Sequence, residues 1–126
     1  MAKIETASAP AAIGPYSQGM VFEQLVFTSG QIPLDPKTGQ IVGTTVKEQA
    51  RQAILNLIEV LKAGGSDLDH VLKTTCFLSD MELFAEFNAV YGEFFTSHPA
   101  RSCVAVRELP KQVLCEIEAI AVRVEG

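Results

Sequence analysis

The segment from Thr45 to Gly65 carries a complete set of helix signals and constrains the fold more than any other part of the chain. Thr45 and Glu48 have the spacing of a capping box, in which a hydroxyl and a carboxylate satisfy backbone N–H groups at a helix start. Apolar residues then recur every three or four positions, and Gly64 and Gly65 provide a stop. The segment therefore predicts an amphipathic helix over residues 46–63. Its apolar stripe is Ala50, Ala53, Ile54, Leu57, Ile58 and Leu61.

Strands and a second helix are predicted around this helix. Ser79 and Asp80 can cap the second helix, which ends before Pro99. Its apolar face is Phe84, Phe87, Tyr91, Phe94 and Phe95. Strands are predicted at residues 19–22, 25–29, 71–78, 101–107 and 113–124. This order predicts an α/β (α+β) fold with one mixed sheet and both helices on one face, because right-handed crossovers favour that arrangement.

Length and composition limit the class of protein. A chain of 126 residues is expected to form a single domain over residues 1–126. It has no run of 18 apolar residues and no signal-like start, so we expect a cytoplasmic protein. A net charge of −5 with scattered Lys and Arg disfavours nucleic-acid binding. Three cysteines without a Cys-x-x-Cys pair, beside two histidines, argue against a zinc site.

The alternation of residues in the last two predicted strands assigns them to sheet faces. Small and apolar residues suit the face under the helices, and we place Arg101 and Glu116 on the opposite face. Glu118 and several aliphatic residues share that opposite face with Glu116. No segment is left to cover them, so this face predicts a partner surface, and a homo-oligomer is the simplest solution.

Several segments resemble the signature motifs of the Rid (YjgF-like) family. They are residues 9–19 (APAAIGPYSQG), 28–33 (TSGQIP), 87–91 (FNAVY), 99–106 (PARSCVAV), 109–111 (LPK) and 116–121 (EIEAIA). The segments occur in the family's order over nearly the whole chain. The chain is most similar to the subfamily that hydrolyses reactive 2-imino and 2-enamino acids. Two positions depart from the pattern: Gln112 stands where relatives often have Gly or Asp, and Cys115 stands where an aliphatic residue is usual.

The resemblance implies a chorismate-mutase-like fold assembled as a homotrimer, with sites in the clefts between subunits and neither metal nor organic cofactor. By similarity, Arg101 holds the substrate carboxylate and Glu116 positions or activates water. The remaining pocket residues implied by the resemblance are Tyr16, Ser29, Gly30, Asn88 and Cys103, the last chiefly through its backbone.

The chemistry of Arg101 and Glu116 agrees with these roles. A guanidinium matches a carboxylate bidentately, although Arg101 without the motif would suggest an interface ion pair with Glu116 or Glu118. Two like charges close together raise the pKa of one carboxyl, which suits Glu116 for acid/base work. Alternatively, Glu116 and Glu118 are solvated acidic residues on an exposed strand edge. We interpret Glu118 as structural.

The cysteines are interpreted as packing residues. A nucleophilic cysteine needs an activating base, and no pattern places His70 or His98 near Cys103. Cys103 is therefore expected to form part of the pocket wall, and Cys76 and Cys115 to be small buried apolar side chains.

The other pocket residues have structural alternatives. Tyr16 can contact a ligand or anchor the Gly-Pro-Tyr arm that contains it. Asn88, on the phenylalanine-rich helix face, can contact substrate or hold a loop. Ser29 and Gly30 allow a close backbone approach to a ligand, or simply form a turn.

We therefore predict hydrolytic deamination of 2-imino acids, such as 2-iminobutanoate and 2-iminopropanoate, to 2-oxo acids and ammonia. This activity would remove reactive intermediates before they damage other enzymes. Two alternatives are a trimer that binds 2-oxo acids without turnover, as a regulator, and an RNA-cleaving or translation-inhibiting protein. The acidic charge makes the RNA activity less attractive.

Overall fold

A computed structural model describes residues 1–124 and contains one six-stranded mixed sheet with two α-helices. The elements are β1 (Ala2–Ile4), β2 (Gly19–Phe22), β3 (Leu25–Thr28), α1 (Val46–Ala63), β4 (Val71–Leu78), α2 (Phe84–Phe94), β5 (Ala100–Ala105) and β6 (Cys115–Val122). The strand order is β1-β2-β3-β6-β4-β5, and only β4 and β5 pair in parallel. The mixed sheet predicted from the sequence is confirmed.

Helix α1 matches its predicted bounds because its signals are local. The Thr45 hydroxyl accepts from the Glu48 N–H, and the Glu48 carboxylate accepts from the Thr45 N–H, which completes the capping box. The predicted apolar stripe is buried except for Ile58, which is partly buried. Both helices pack on the same side of the sheet around one hydrophobic core, as predicted.

Helix α2 begins later than the sequence suggests. The Asp80 carboxylate caps a 3₁₀ turn, Met81–Leu83, and the α-helix starts only at Phe84. Phe87, Tyr91 and Phe95 are buried, as the periodicity predicts. No helix in the described part of the chain is long and apolar enough to cross a membrane.

The face prediction is confirmed for β6 and wrong for Arg101 in β5. In β6, Cys115, Ile117, Ala119 and Ala121 are buried beneath the helices, so Glu116 and Glu118 lie on the other, open face. In β5, however, Arg101 pairs in register with Thr74, which is fully buried beneath α2. Arg101 therefore lies on the helix side. Val104, the more apolar candidate for the core, faces the open side and is exposed.

Two further differences from the prediction concern the number and the length of the strands. Strand β1 was not predicted, because a three-residue strand has no recognisable pattern of its own and exists through its pairing with β2. The last two strands are shorter than the predicted 101–107 and 113–124, since β5 ends at Ala105 and β6 spans Cys115–Val122.

Candidate active site

Arg101 lies at the edge of the sheet and is held by α2. Its Nη1 donates a 2.7 Å hydrogen bond to the Asn88 Oδ1. Its Cζ lies 4.7 Å from the centre of the Tyr91 ring and 5.4 Å from that of Phe84. The ion pairs within residues 1–124 are Arg51–Glu93 and His70–Asp67, so no carboxylate in this range pairs with Arg101. A guanidinium with only neutral partners is suited to bind an external anion.

Cys103 lies two residues beyond Arg101 on the same side of β5. Val106 donates its backbone N–H to the Leu78 carbonyl. Because alternate residues of a strand point their backbone groups to opposite sides, the N–H and C=O of Cys103 point to the free edge of the sheet. Burial raises the pKa of the Cys103 thiol, and the Arg101 charge offsets part of this effect. The thiol is therefore protonated at neutral pH, and the polar backbone is the chemically useful part of this residue.

Glu116 lies on the open face of β6, with its carboxylate against Gly30. A Cβ atom at position 30 would overlap the Glu116 Oε2 and Cδ, so the absence of a side chain makes room for the carboxylate. Gln31 and Ile117 exchange backbone hydrogen bonds of 2.7 and 3.0 Å, which fixes this segment beside β6. Burial raises the pKa of the Glu116 carboxyl, and the Glu118 charge raises it further.

A cleft of about 470 Å³ opens beside Glu116. Its lining combines the two carboxylates with the N-terminal arm and the loop before β6: Ile13, Tyr16, Ser29, Gly30, Ile32, Pro110, Glu116 and Glu118. The Tyr16 side chain is 50% exposed, and its hydroxyl accepts a hydrogen bond from the Ile13 N–H. The Ser29 hydroxyl donates to the Ser17 carbonyl, so in this structure it holds the arm that carries Tyr16.

Gln18 is a supporting residue to which the sequence motifs assigned no role. Its buried side chain donates to the carbonyls of Thr6, Ala9 and Pro10 and accepts from the Thr6 N–H. These bonds hold the arm against the sheet and thereby position Tyr16. One sequence signal could have indicated this role: the glutamine lies where an arm rich in Pro and Gly meets a strand. Backbone groups of such an arm need hydrogen-bond partners. Pro110 and Glu118 were likewise missed as cleft residues.

The seven predicted site residues form two groups that one chain does not bring together. Arg101, Asn88 and Cys103 form the first group, on the helix side at the β5 edge. The second group, on the open side, is Tyr16, Ser29, Gly30 and Glu116. The sheet lies between them, because Glu116 pairs with Phe77 and Arg101 with Thr74, whose side chains project from opposite faces of β4.

The remaining cysteines are buried, as predicted. Cys76 and Cys115 are fully inaccessible, and burial raises the pKa of each thiol to about 12. Within residues 1–124, no three His, Cys, Asp or Glu side chains are grouped closely enough to hold a metal ion.

Comparison with known proteins gives one family. Residues 6–123 match the model of the family described as Endoribonuclease L-PSP. The chain is 53% identical over 119 residues to the putative regulator AldR of Lactococcus lactis, an alignment covering 94% of each protein. It is also 53% identical over 124 residues to the 2-iminobutanoate/2-iminopropanoate deaminase of Salmonella typhimurium, covering 95% of this chain and 96% of that protein.

A solved structure agrees with the fold. The crystal structure of Escherichia coli TdcF with bound serine superimposes with a TM-score of 0.93 at 47% identity, covering 98% of this chain and 100% of that one. The chain therefore belongs to the Endoribonuclease L-PSP family, which is the Rid (YjgF-like) family that its motifs resemble.

Proposed function

We propose that this protein is a 2-imino acid deaminase, which converts 2-imino or 2-enamino acids into 2-oxo acids and ammonia. The observation that carries the proposal is the pair of complementary groups described above: a guanidinium without an anionic partner, and a half-buried carboxyl with a raised pKa. The name of the Salmonella relative and the amino acid bound to TdcF support the same substrate class.

The two groups of site residues would meet between neighbouring copies of the chain. Arg101 and the outward backbone of Cys103 lie at a free sheet edge, where a second copy can approach them. The open face that carries Glu116 also presents an apolar surface, made of Met20, Phe27, Phe77, Val104 and Ile120. An apolar sheet face of this kind favours association. We therefore propose a homotrimer with one site in each cleft between subunits.

The proposed reaction begins when Arg101 binds the carboxylate of the substrate. The iminium carbon then lies in the cleft beside Glu116. The Glu116 carboxylate takes a proton from water, and the hydroxide adds to the carbon to form a carbinolamine. The protonated Glu116 returns the proton to the amino nitrogen. The C–N bond breaks, ammonia leaves, and the hydroxyl proton is transferred to the ammonia, which yields the 2-oxo acid and ammonium. The free carbonyl of Cys103 is an acceptor that can hold the attacking water.

This small set of groups can accelerate the proposed hydrolysis in two ways. One positioned acid/base group contributes roughly 10²–10⁴-fold. Fixing the carboxylate orients the carbon toward the water and removes part of the entropic barrier. No role is required of the Cys103 thiol.

The test is to separate binding from turnover in two variants. Arg101→Ala should weaken the binding of substrate and of the product 2-oxobutanoate by about ten- to a hundredfold, because a charge-assisted hydrogen bond is lost. Glu116→Ala should keep product affinity and lose turnover, since water activation acts in the transition state. The measurements are calorimetric titration with 2-oxobutanoate and the rate of 2-oxo acid appearance when an amino-acid dehydratase supplies the imine.

Two exposed residues next to β5 provide matched controls. Arg107→Ala and Glu108→Ala remove the same charges from a position outside both groups and should behave as the wild type. Wild-type product binding by Arg101→Ala would contradict its role as the carboxylate anchor, and full turnover by Glu116→Ala would contradict its role in activating water.

Cleavage of RNA is the second candidate function, favoured by the name of the family model and by similar solved structures described as putative endoribonucleases. If RNA binding depended on phosphate contacts, its affinity would fall steeply with salt. With a net charge of −5, we expect no binding at physiological ionic strength.

A further inference from the structure

Tyr91 lies beneath the Arg101 guanidinium and belongs to neither the sequence-predicted site nor the cleft. The distance of 4.7 Å from the Arg101 Cζ to its ring centre is within the range of a cation–π interaction. Phe84, one turn of α2 before Asn88, places a second ring 5.4 Å from the same carbon. Asn88 accepts the hydrogen bond from Nη1. The guanidinium therefore has three partners from one helix and, within the described part of the chain, no counter-charge.

The Tyr91 ring is itself fixed by the core. Its hydroxyl and the Thr74 hydroxyl share a 2.7 Å hydrogen bond, and both side chains are buried, at 8% and 0% exposure. The ring stacks on Phe95 with a centre-to-centre distance of 4.3 Å and an interplanar angle of 19°. Thr74 is also the register partner of Arg101 across the β4–β5 ladder. A single group of contacts thus links the strand that carries the guanidinium to the ring beneath it.

We propose that Tyr91 is a positioning residue for anion binding, whose ring fixes the Arg101 guanidinium in the orientation that receives the substrate carboxylate. The proposal rests on the proposed function for the identity of the anion. Arginine has four rotatable side-chain bonds and loses much rotamer entropy on binding. A guanidinium already held against a ring loses less when the ligand arrives, so affinity rises through preorganisation. Thr74 would act one step further away, by fixing the ring.

The first test varies the electron density of the ring and leaves its size nearly unchanged. Phenylalanine and its mono-, di- and trifluorinated forms are introduced at position 91 by non-canonical incorporation. A cation–π interaction weakens as fluorine removes electron density from the ring face. The dissociation constant for 2-oxobutanoate should therefore rise stepwise along the series, by roughly 3- to 30-fold in total. The KM of the coupled reaction should rise with it while kcat stays constant, because the lost contact serves substrate and transition state equally.

The matched control is the same series at Phe87. This ring is buried in the same helix and packs against Tyr91, with centres 5.9 Å apart, but no cation of residues 1–124 lies over its face. Fluorination of Phe87 should leave the dissociation constant unchanged. A flat series at position 91, or equal slopes at positions 91 and 87, would overturn the proposal and leave Tyr91 as a packing residue.

A second measurement needs no ligand and separates this proposal from the proposed function. The guanidinium Nε–H signal of Arg101, assigned by its loss in Arg101→Lys, should show a rigid side chain in the wild type by NMR relaxation. It should become mobile in Tyr91→Leu and stay rigid in Tyr91→Phe, which retains the ring. If the wild-type side chain is mobile, the proposal fails whatever the substrate is. If the side chain is rigid and 2-oxobutanoate does not bind, the proposed function fails instead.

Discussion

At the scale of single residues, the contact between Gly30 and Glu116 determines where the carboxylate can lie. The Gly30 backbone is outside the left-handed region, so alanine can adopt its conformation without strain. The three atoms that a Cβ at position 30 would approach most closely all belong to the Glu116 side chain, whose end is flexible enough to move aside. The glycine therefore matters for the position of a functional group and much less for folding.

Gly30→Ala should consequently reduce turnover without unfolding the protein. We expect the rate to fall by about 10²-fold, as for a displaced acid/base group, with the free energy of unfolding changed by less than about 1 kcal/mol. The measurements are the dehydratase-coupled rate and urea unfolding. Gly92→Ala is the control, because a Cβ atom on Gly92 would meet nothing within 4 Å beyond its chain neighbours and the backbone of α2, and alanine favours helices. That variant should be at least as stable and fully active. Wild-type turnover in Gly30→Ala would contradict the carboxylate placement.

The Glu116 carboxyl also gives a prediction about pH. Burial and the Glu118 charge both favour the protonated form, so the pKa of Glu116 lies above its usual value. As pH falls, the basic form that the proposed water activation would need is therefore lost at a higher pH than for an ordinary carboxyl. Glu118→Gln removes the repulsion and should lower the midpoint of the Glu116 carboxyl titration. Carbon-13 NMR follows this titration directly, with Glu116→Gln for assignment. The exposed Glu82, changed to Gln, should leave the midpoint unchanged. An unchanged or higher midpoint in Glu118→Gln would contradict the coupling.

At the scale of elements, the accuracy of prediction followed how local the signals are. Helix α1 was predicted residue for residue, because its cap, its stripe and its stop lie within one segment. The face of β5 that packs under the helices was predicted wrongly. Alternation separates the residues of a strand into two sets but does not show which set is buried. Val104 and Val106 looked like the core set. The edge position and the α2 contacts instead turn Arg101 inward, where aromatic rings and Asn88 accommodate its charge.

One departure from the family motif, Gln112, lies in the loop before β6. Lys111 and Gln112 both have φ near +56°, a left-handed conformation that costs a non-glycine residue roughly 1–2 kcal/mol. Gln112 stands where the motif of the resembled family leads us to expect Gly or Asp, and glycine adopts this conformation without a steric penalty. The strain lies beside Pro110, which lines the cleft.

Gln112→Gly should therefore stabilise the protein. After the extra chain entropy of glycine is subtracted, we expect a gain of about 0.5–1 kcal/mol in the free energy of unfolding. Urea unfolding at a fixed protein concentration measures it. The control is Glu108→Gly in the same loop, where φ is not positive, and this variant should lose stability. An equal loss in both variants would show that the left-handed residue carries no strain.

At the scale of the whole molecule, the motifs assigned seven residues to a site without showing how the fold arranges them. All seven residues were assigned to one pocket on the strength of motifs. The structure places three on the helix side and four on the open side of one sheet. No local pattern could show this division, because it depends on the face of an edge strand and on the strand order β6-β4-β5.

If the site forms between copies, two impaired variants should restore each other. Arg101→Ala retains Glu116, and Glu116→Ala retains Arg101, so a cleft between one chain of each kind can contain both groups. In a random one-to-one mixture of closed oligomers, each cleft receives an intact Arg101 and an intact Glu116 with even odds, and about a quarter of the clefts should be complete. Assayed at substrate concentrations below the wild-type KM, coexpressed or co-refolded variants should then show roughly a quarter of the wild-type rate, whereas each variant alone shows far less.

The size of the mixed species tests the assembly itself. Light scattering should give three times the 13.6 kDa chain mass. The control mixes Arg101→Ala with the double variant Arg101→Ala/Glu116→Ala, which assembles in the same way but contains no intact Arg101 and should restore nothing. Mass spectrometry verifies that the chains have mixed. The sheet of a single chain separates Arg101 from Glu116, so only a cleft between chains can join them. Mixed oligomers without restored turnover would mean that no such cleft joins Arg101 of one chain to Glu116 of the next. A stable 13.6 kDa species would contradict assembly altogether.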